Sequence, residues 1–288
     1  MRILLLGSNG MLGQSLRKEL CDYEVTGVDL QGADYQFDLS DDMRLTDCIS
    51  SLRPEIVINA AALVDLNICE TDPGKAYISN TRLPGVLANI CRRNNSYLIH
   101  ISTDHFYTGD GKKKHMETDP VVLVNEYART KYAGEYMALA YENTLILRTN
   151  IVGFRGRQIK PTFIEWVIEK IKGNEEFILF NDFYTSSMHT SDFSKVLKKL
   201  LNLRPRGVYN LASSTVSSKE QFVNRLAELL FGYKPASQIG SVKNLKGIQR
   251  GDSLGLDTRK IEKLLGIKLP DLEETLASIK KEYLERNA

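Results

Sequence analysis

The opening stretch MRILLLGSNGMLG constrains this chain more than any other. Ile3, Leu4, Leu5 and Leu6 form a continuous apolar run, the pattern of a parallel strand buried on both faces. Gly7, Gly10 and Gly13 follow at once, in the spacing G-x-x-G-x-x-G. Leu12, Leu16 and Leu20 then recur at helical spacing. The stretch therefore predicts strand, glycine turn and helix. Such a turn lets backbone approach a ligand where a Cβ would stand in the way. The helix start behind it offers unpaired N–H groups and the positive end of a dipole, which suit a pyrophosphate. The common dinucleotide fingerprint is G-x-G-x-x-G, so the spacing here is a variant of it. A glycine turn can also be a plain connection; its place directly after the first strand favours a dinucleotide. On that reading Gly7, Asn9, Gly10, Met11, Leu12 and Gly13 line the cofactor.

Composition narrows the field by exclusion. The 288 residues suffice for one large or two interleaved domains. With 38 basic against 36 acidic side chains, the net charge of +2 gives no argument for a nucleic-acid or membrane partner. The longest basic run, Lys112-Lys113-Lys114, reads as a solvated loop. No apolar stretch approaches a membrane span, and the run before Gly7 is too short for a signal peptide. Cys21, Cys48, Cys69 and Cys91 are scattered without a C-x-x-C pair, and the histidines are dispersed. The expectation is a cytoplasmic protein with reduced thiols and no metal site.

Along the chain, apolar strands alternate with helical patterns as far as about residue 150. This predicts an α/β fold, a doubly wound Rossmann-type parallel sheet, with 1–150 as the dinucleotide-binding domain. From 151 to 288 the alternation loosens, as expected of a smaller, interleaved α/β substrate domain with some segments returning to the first sheet. Asp29 closes the second strand, where a carboxylate can accept from the adenosine ribose hydroxyls and disfavours a 2′-phosphate. A strand-end turn aspartate is the plain alternative. Arg17 and Lys18 nearby leave the phosphorylated cofactor open. Asp38, with Leu39 beside it, is placed near the adenine, while Asp41 or Ser40 suits a helix cap. Asn59, Ala60, Ala61 and Ala62 are small, as needed where backbone lies against a cofactor. Asp72-Pro73-Gly74 opens one helix, and Leu83 to Arg93 reads as another. Ser102, Thr103 and Asp104 end a strand, and ligands of open parallel sheets bind beyond the carboxyl ends of strands. Tyr127 and Lys131 are four apart and share a helix face. A lone Y-x-x-x-K carries little among thirteen tyrosines, and a surface contact is its bland reading. Order changes that, because the pair follows a nucleotide-type first half and a strand ending in Ser-Thr. Further on, Asp192 is expected to cap a helix, and Ser217 with Glu220 to form a capping box.

Taken together these residues resemble the extended short-chain dehydrogenase/reductase superfamily, and within it the dTDP-4-dehydrorhamnose reductase family. The resemblance runs through GSNGMLG (7–13), RPEIVINAAALVD (53–65), STD (102–104), YARTK (127–131), LRTN (147–150) and DSLGLDTRKIEKLLG (252–266). It implies an NADPH- or NADH-dependent reductase of a nucleotide-linked 4-keto-6-deoxy sugar. Carried over by residue, Thr103, Tyr127 and Lys131 are the catalytic triad, and Tyr127 and Lys131 also hold the cofactor. Hydride delivered to a carbonyl carbon leaves charge on oxygen, and a proton must arrive there. Tyrosine can give it, and a nearby ammonium lowers its ordinary pKa of about 10 toward working pH. Thr103 orients the substrate oxygen. Val64, Asp104, His105, Asn150 and Arg250 fall at or beside substrate-contact positions, Arg250 being suited to a diphosphate by its forked donors. A surface salt bridge for Arg250 and a plain loop role for His105 stand as the alternatives.

The chain departs from the family pattern in two places. His105-Phe106-Tyr107 stands where Tyr-Val-Phe is usual, and Asn150-Ile151-Val152-Gly153 where Ser-Trp-Val-Tyr is usual. Base and sugar of the substrate are therefore left open. A sugar-nucleotide epimerase is the alternative enzyme, since it uses the same tyrosine and lysine. A dehydratase is disfavoured, because His105 and not a second carboxylate follows Asp104. A non-catalytic NAD(P)-binding regulatory subunit is the third reading, opposed by the intact triad. A homodimer stays open, since the sequence carries no signal of oligomeric state.

Overall fold

The structure, a computed structural model, describes residues 1–156 and 160–288. The chain divides into two compact units. The first comprises Met1–Thr103, Leu123–Arg148 and Ser194–Tyr209, and the second Asp104–Val122, Thr149–Phe193 and Asn210–Ala288. No described helix is long and apolar enough to cross a membrane.

The first unit is built on a sheet of seven strands. These are β1 (Arg2–Leu6), β2 (Glu24–Asp29), β3 (Tyr35–Gln36), β4 (Ile56–Asn59), β5 (Tyr97–Ile101), β6 (Thr144–Arg148) and the edge strand Gly207–Asn210. From that edge the order is β6-β5-β4-β1-β2-β3, and these six pair in parallel. Leu4 is level with Val57, Ile58 with Ile99, and Ile99 with Leu145, all fully buried. That is why the central strands read as unbroken apolar runs. After β3 the chain returns to the far side of β1 to lay down β4, so the winding reverses between β1 and β4. A crevice opens outside the carboxyl ends of two such strands.

The helices of this unit include α1 (Met11–Glu19), α2 (Asp42–Leu52), α3 (Leu66–Thr71), α4 (Pro73–Tyr77), α5 (Leu83–Asn94) and α6 (Glu126–Leu139), together with most of the helix Thr190–Leu203. Asp41 caps α2, its carboxylate accepting from Arg44 N at 3.1 Å, and Asp72 caps α4 through Lys75 N at 2.9 Å. The two helices expected from Asp72 and Leu83 are one continuous rod, joined by a π-helical turn over Ile78–Arg82. Leu45, Ile49, Leu87 and Cys91 pack with Leu4, Val57 and Ile146 in the core.

The second unit has only short strands. Phe177–Phe180 pairs in parallel with Ser237–Gly240, and Tyr184–Thr185 pairs with both Ser217–Ser218 and Ser253–Leu254. Its core gathers Ile164, Val167, Phe222, Leu226, Leu276 and Ile279 from the helices Phe163–Lys172, Lys219–Phe231 and Leu272–Asn287. Two expected helix caps are corrected here. The capping box is Ser218 with Gln221, not Ser217 with Glu220. The strand runs through Ser218, paired with Tyr184, and the helix starts at Lys219, so Ser218 and not Ser217 sits at the N-cap. Asp192 lies inside the first turn of Thr190–Leu203 and does not cap it, because that helix starts directly after the strand Met188–His189.

Candidate active site

At the β1–β4 switch the chain turns through Gly7 with φ +77°, in the left-handed region where glycine alone is unstrained. A Cβ there would lie 2.9 Å from Ala61 N. A Cβ on Gly13 would lie 2.2 Å from Gly7 O and 2.7 Å from the Ser8 backbone, so only glycine lets α1 seat this close to the loop. The N-cap of α1 is Gly10, which has no side chain to satisfy the first-turn N–H groups. Beside this loop is a cleft of about 430 Å³. It brings together Gly7, Gly10, Asp29, Asp38, Leu39, Ala60, Ala61 and Ala62, and adds Phe37, Ser40, Lys75 and Ser79. Asn9 is tied to the cleft by its backbone N, 2.9 Å from Asp29 Oδ2, and Asp29 Oδ1 accepts from Leu30 N at 2.8 Å. Met11 opens α1, and Leu12 and Gly13 are buried beneath it. Arg17 pairs with Asp34 at 3.1 Å. Volume, open helix start and missing Cβ atoms all fit an extended dinucleotide.

The helix α6 carries Tyr127 and Lys131. Asn125 caps it, Oδ1 accepting from Ala128 N at 2.8 Å, and this fixes the helix start just ahead of Tyr127. Gly134 lets α6 lie on the π-turn, since a Cβ there would be 2.0 Å from Asn80 O. Asn80 in turn holds the Leu63 backbone, accepting from its N at 2.9 Å and donating to its O at 3.0 Å. Val64, next in line, is exposed. Thr103, Tyr127 and Lys131 are all buried. Lys131 Nζ donates to Ile101 O at 2.7 Å, at the end of β5 and two residues before Thr103. Burial pushes the Lys131 ammonium down to about 8, against the opposing charge of Glu135. Glu135 itself is clamped by Arg148, with Nη2 2.7 Å and Nε 3.0 Å from its oxygens, and accepts from Ser102 Oγ. His100 Nε2 lies 3.5 Å from Lys131 Nζ, and burial followed by the Lys131 charge holds the ring well below the ordinary histidine range. Its imidazole is therefore neutral at working pH.

Within the second unit Asp104 and Asn150 meet, Asn150 Nδ2 donating to Asp104 Oδ2 at 2.7 Å. Ser187 Oγ donates to Asn150 Oδ1 at 2.7 Å. His105 Nε2 is 3.9 Å from Asp104 Oδ1, and burial, then the charges of Lys219 and Arg250, bring that ring down to about 4. Arg250 is exposed, and among the described residues no carboxylate pairs with it. The sequence reading passed over Lys219. Its Nζ sits 4.5 Å from the centre of the Phe163 ring, with Phe183 and Phe222 at 5.8 and 5.9 Å. Burial lowers this ammonium to about 8, opposed by Asp104. A lone lysine at a helix start carries no signal in sequence; only the fold gathers the rings around it. His100, one of the dispersed histidines, likewise carries no signal of its own in sequence.

Comparison with known proteins bears on this geometry. The family model for the RmlD substrate binding domain matches residues 1–285. The probable low-salt glycan biosynthesis reductase Agl14 of Haloferax volcanii is 26% identical over 97% of both chains. The dTDP-4-dehydrorhamnose reductase of Escherichia coli K12 is 31% identical over 63% of this chain and 60% of its own. The crystal structure of dTDP-4-dehydrorhamnose reductase from Bacillus anthracis in complex with NADP superposes with a TM-score of 0.88. It covers 98% of this chain and 99% of its own at 23% identity, and so speaks to the fold.

Proposed function

The chain belongs to the RmlD substrate-binding-domain family, and on that premise we propose that it reduces the 4-keto group of a nucleotide-linked 6-deoxy sugar. The observation that carries this is Lys131, a buried lysine anchored on Ile101 O one helical turn from Tyr127, in the unit that holds the glycine-loop cleft. NADPH or NADH, when bound, supplies the hydride. Gly7, Gly10 and Gly13 admit its pyrophosphate, Asp29 meets the adenosine ribose, and Ala60, Ala61 and Ala62 lie along it. Tyr127 donates the proton to the carbonyl oxygen. Lys131 stabilises the resulting tyrosinate and holds the nicotinamide ribose. Thr103 orients the reacting oxygen. Val64, Asp104, His105, Asn150 and Arg250 are the proposed sugar-nucleotide contacts. No observation favours the epimerase or the regulatory subunit.

The test is loss of absorbance at 340 nm with purified protein, NADH or NADPH, and a panel of nucleotide-linked 4-keto-6-deoxy sugars. The reading requires stoichiometric cofactor oxidation with one of them. Tyr127→Phe should abolish turnover while cofactor binding persists. Isomerised sugar without cofactor consumption, or full turnover by Tyr127→Phe, would overturn it.

A further inference from the structure

We propose that His100 is a positioning residue which turns a ring N–H, not a lone pair, toward Lys131 and so directs the remaining lysine hydrogens into the catalytic site. The role given to Lys131 rests on the function proposed above; the arrangement of the ring does not. Ala61 N–H donates to Asn59 Oδ1 at 3.2 Å, which fixes the Asn59 amide. Its Nδ2 then faces His100 Nδ1 at 3.1 Å. An amide nitrogen has only hydrogens to offer, so Nδ1 must accept. A neutral imidazole accepting at Nδ1 carries its proton on Nε2, and that N–H faces Lys131 Nζ at 3.5 Å.

Lys131 already donates one hydrogen to Ile101 O. Facing an N–H, its ammonium finds no acceptor on the ring. Two hydrogens are left for the site, where Tyr127 and the cofactor ribose need them. The same contact favours the amine over the ammonium, because only the amine has a lone pair for Nε2–H. On α6 the ionisable groups one turn either side of Lys131 are Tyr127 and Glu135, and the charge of Glu135 opposes the effect. Glu135 is itself engaged by Arg148 and Ser102. All four members of the chain from Ala61 to Lys131 belong to the first unit, and Asn59, His100 and Lys131 are buried.

The arrangement is tested on the free protein by NMR, with no need for turnover. In ¹⁵N-histidine-labelled protein, the His100 ring, identified by its loss in His100→Gln, should show the Nε2–H tautomer. In ¹³C-lysine-labelled protein, the Lys131 ε-carbon, identified by its loss in Lys131→Arg, should titrate at about 8. Asn59→Asp keeps an oxygen for Ala61 N–H but presents a second one to Nδ1. It should flip the ring to Nδ1–H, turn a lone pair on Lys131, and raise the lysine midpoint by about one pH unit, tenfold in the ammonium-to-amine ratio. An Nδ1–H tautomer in the wild type overturns the proposal even if the variant fails to fold. A flipped ring with an unmoved lysine midpoint overturns it as well. A failed reductase assay beside these NMR results would remove the function and leave the arrangement standing.

Discussion

Glu135 and Arg148 offer the sharpest test of how the first unit holds its catalytic helix. Their side chains are 2% and 5% exposed, and the guanidinium makes contacts of 2.7, 3.0 and 3.2 Å to the carboxylate. Ser102 Oγ adds a third donor. At about 3 Å and an effective dielectric near 20, the direct attraction is on the order of 5 kcal/mol, but both charges were stripped of water to form it. Removing the whole pair is therefore expected to be far milder than removing half of it. Glu135→Ala strands a buried guanidinium without its Glu135 partner, the Tyr132 ring lying 5.9 Å away. The expected cost is about 3–5 kcal/mol. Adding Arg148→Met to Glu135→Ala should recover most of that, for a coupling of about 2 kcal/mol or more. Urea denaturation followed by far-UV circular dichroism gives the three stabilities. The chain's only tryptophan, Trp166, lies in the second unit, so its fluorescence follows that unit separately. A cost below about 1 kcal/mol for Glu135→Ala would refute this reasoning. So would a double variant as unstable as the sum of the two singles.

Two further outcomes follow from distances and burial already given. Lys131 has its pKa depressed to about 8 in the fold from an unfolded value near 10.5. The unfolded chain thus binds more protons between those values, and wild-type stability should rise with pH across that window relative to Lys131→Met. The difference should reach on the order of 3 kcal/mol, fully present as a penalty below pH 8 and relieved above 10.5; paired urea titrations at pH 7.5 and 10.5 measure it, and a pH-independent difference would contradict it. Gly13→Ala should cost about 1–3 kcal/mol by overpacking and weaken NAD(P)H binding, because its Cβ would enter the Gly7 carbonyl and force α1 back from the loop. Reduced-cofactor fluorescence titration checks the second effect, and wild-type affinity would count against the coupling of the α1 seat to the cleft.

Much of the first unit was legible because its rules are local. A strand buried on both faces must be apolar throughout, so Ile3–Leu6 and Ile56–Ile58 announced themselves. A turn at positive φ needs glycine, so Gly7 did too. The cap at Asp41 and the shared helix face of Tyr127 and Lys131 depend on neighbours in sequence. What escaped depends on distant partners. The pairing of Phe177–Phe180 with Ser237–Gly240 joins segments far apart in the chain, and although Phe177 and Leu179 are buried and Ile178 exposed, all four residues of the first strand are apolar and so show no alternation in sequence. Ser217 and Ser218 are both good caps, and only the strand ending at Ser218 decides between them. Lys219 among three phenylalanine rings, and His100 between Asn59 and Lys131, are products of tertiary packing.

The π-turn at Ile78–Arg82 is best understood as a phase shift. An α-helix advances about 100° per residue, so one added residue in a turn rotates everything on one side of it by that angle relative to the other. Before the turn the rod points Lys75 toward the dinucleotide cleft, with Ile78 and Ser79 at the turn's start. After it, Leu83, Leu87, Ile90 and Cys91 point into the core. A strictly α-helical rod would set these two faces at a different angle. Deleting a single residue between Ile78 and Arg82 would leave a smoother helix and a worse protein, with either the cleft wall or the core stripe turned out of register. Inserting a residue elsewhere in the rod would do the same damage in the opposite sense.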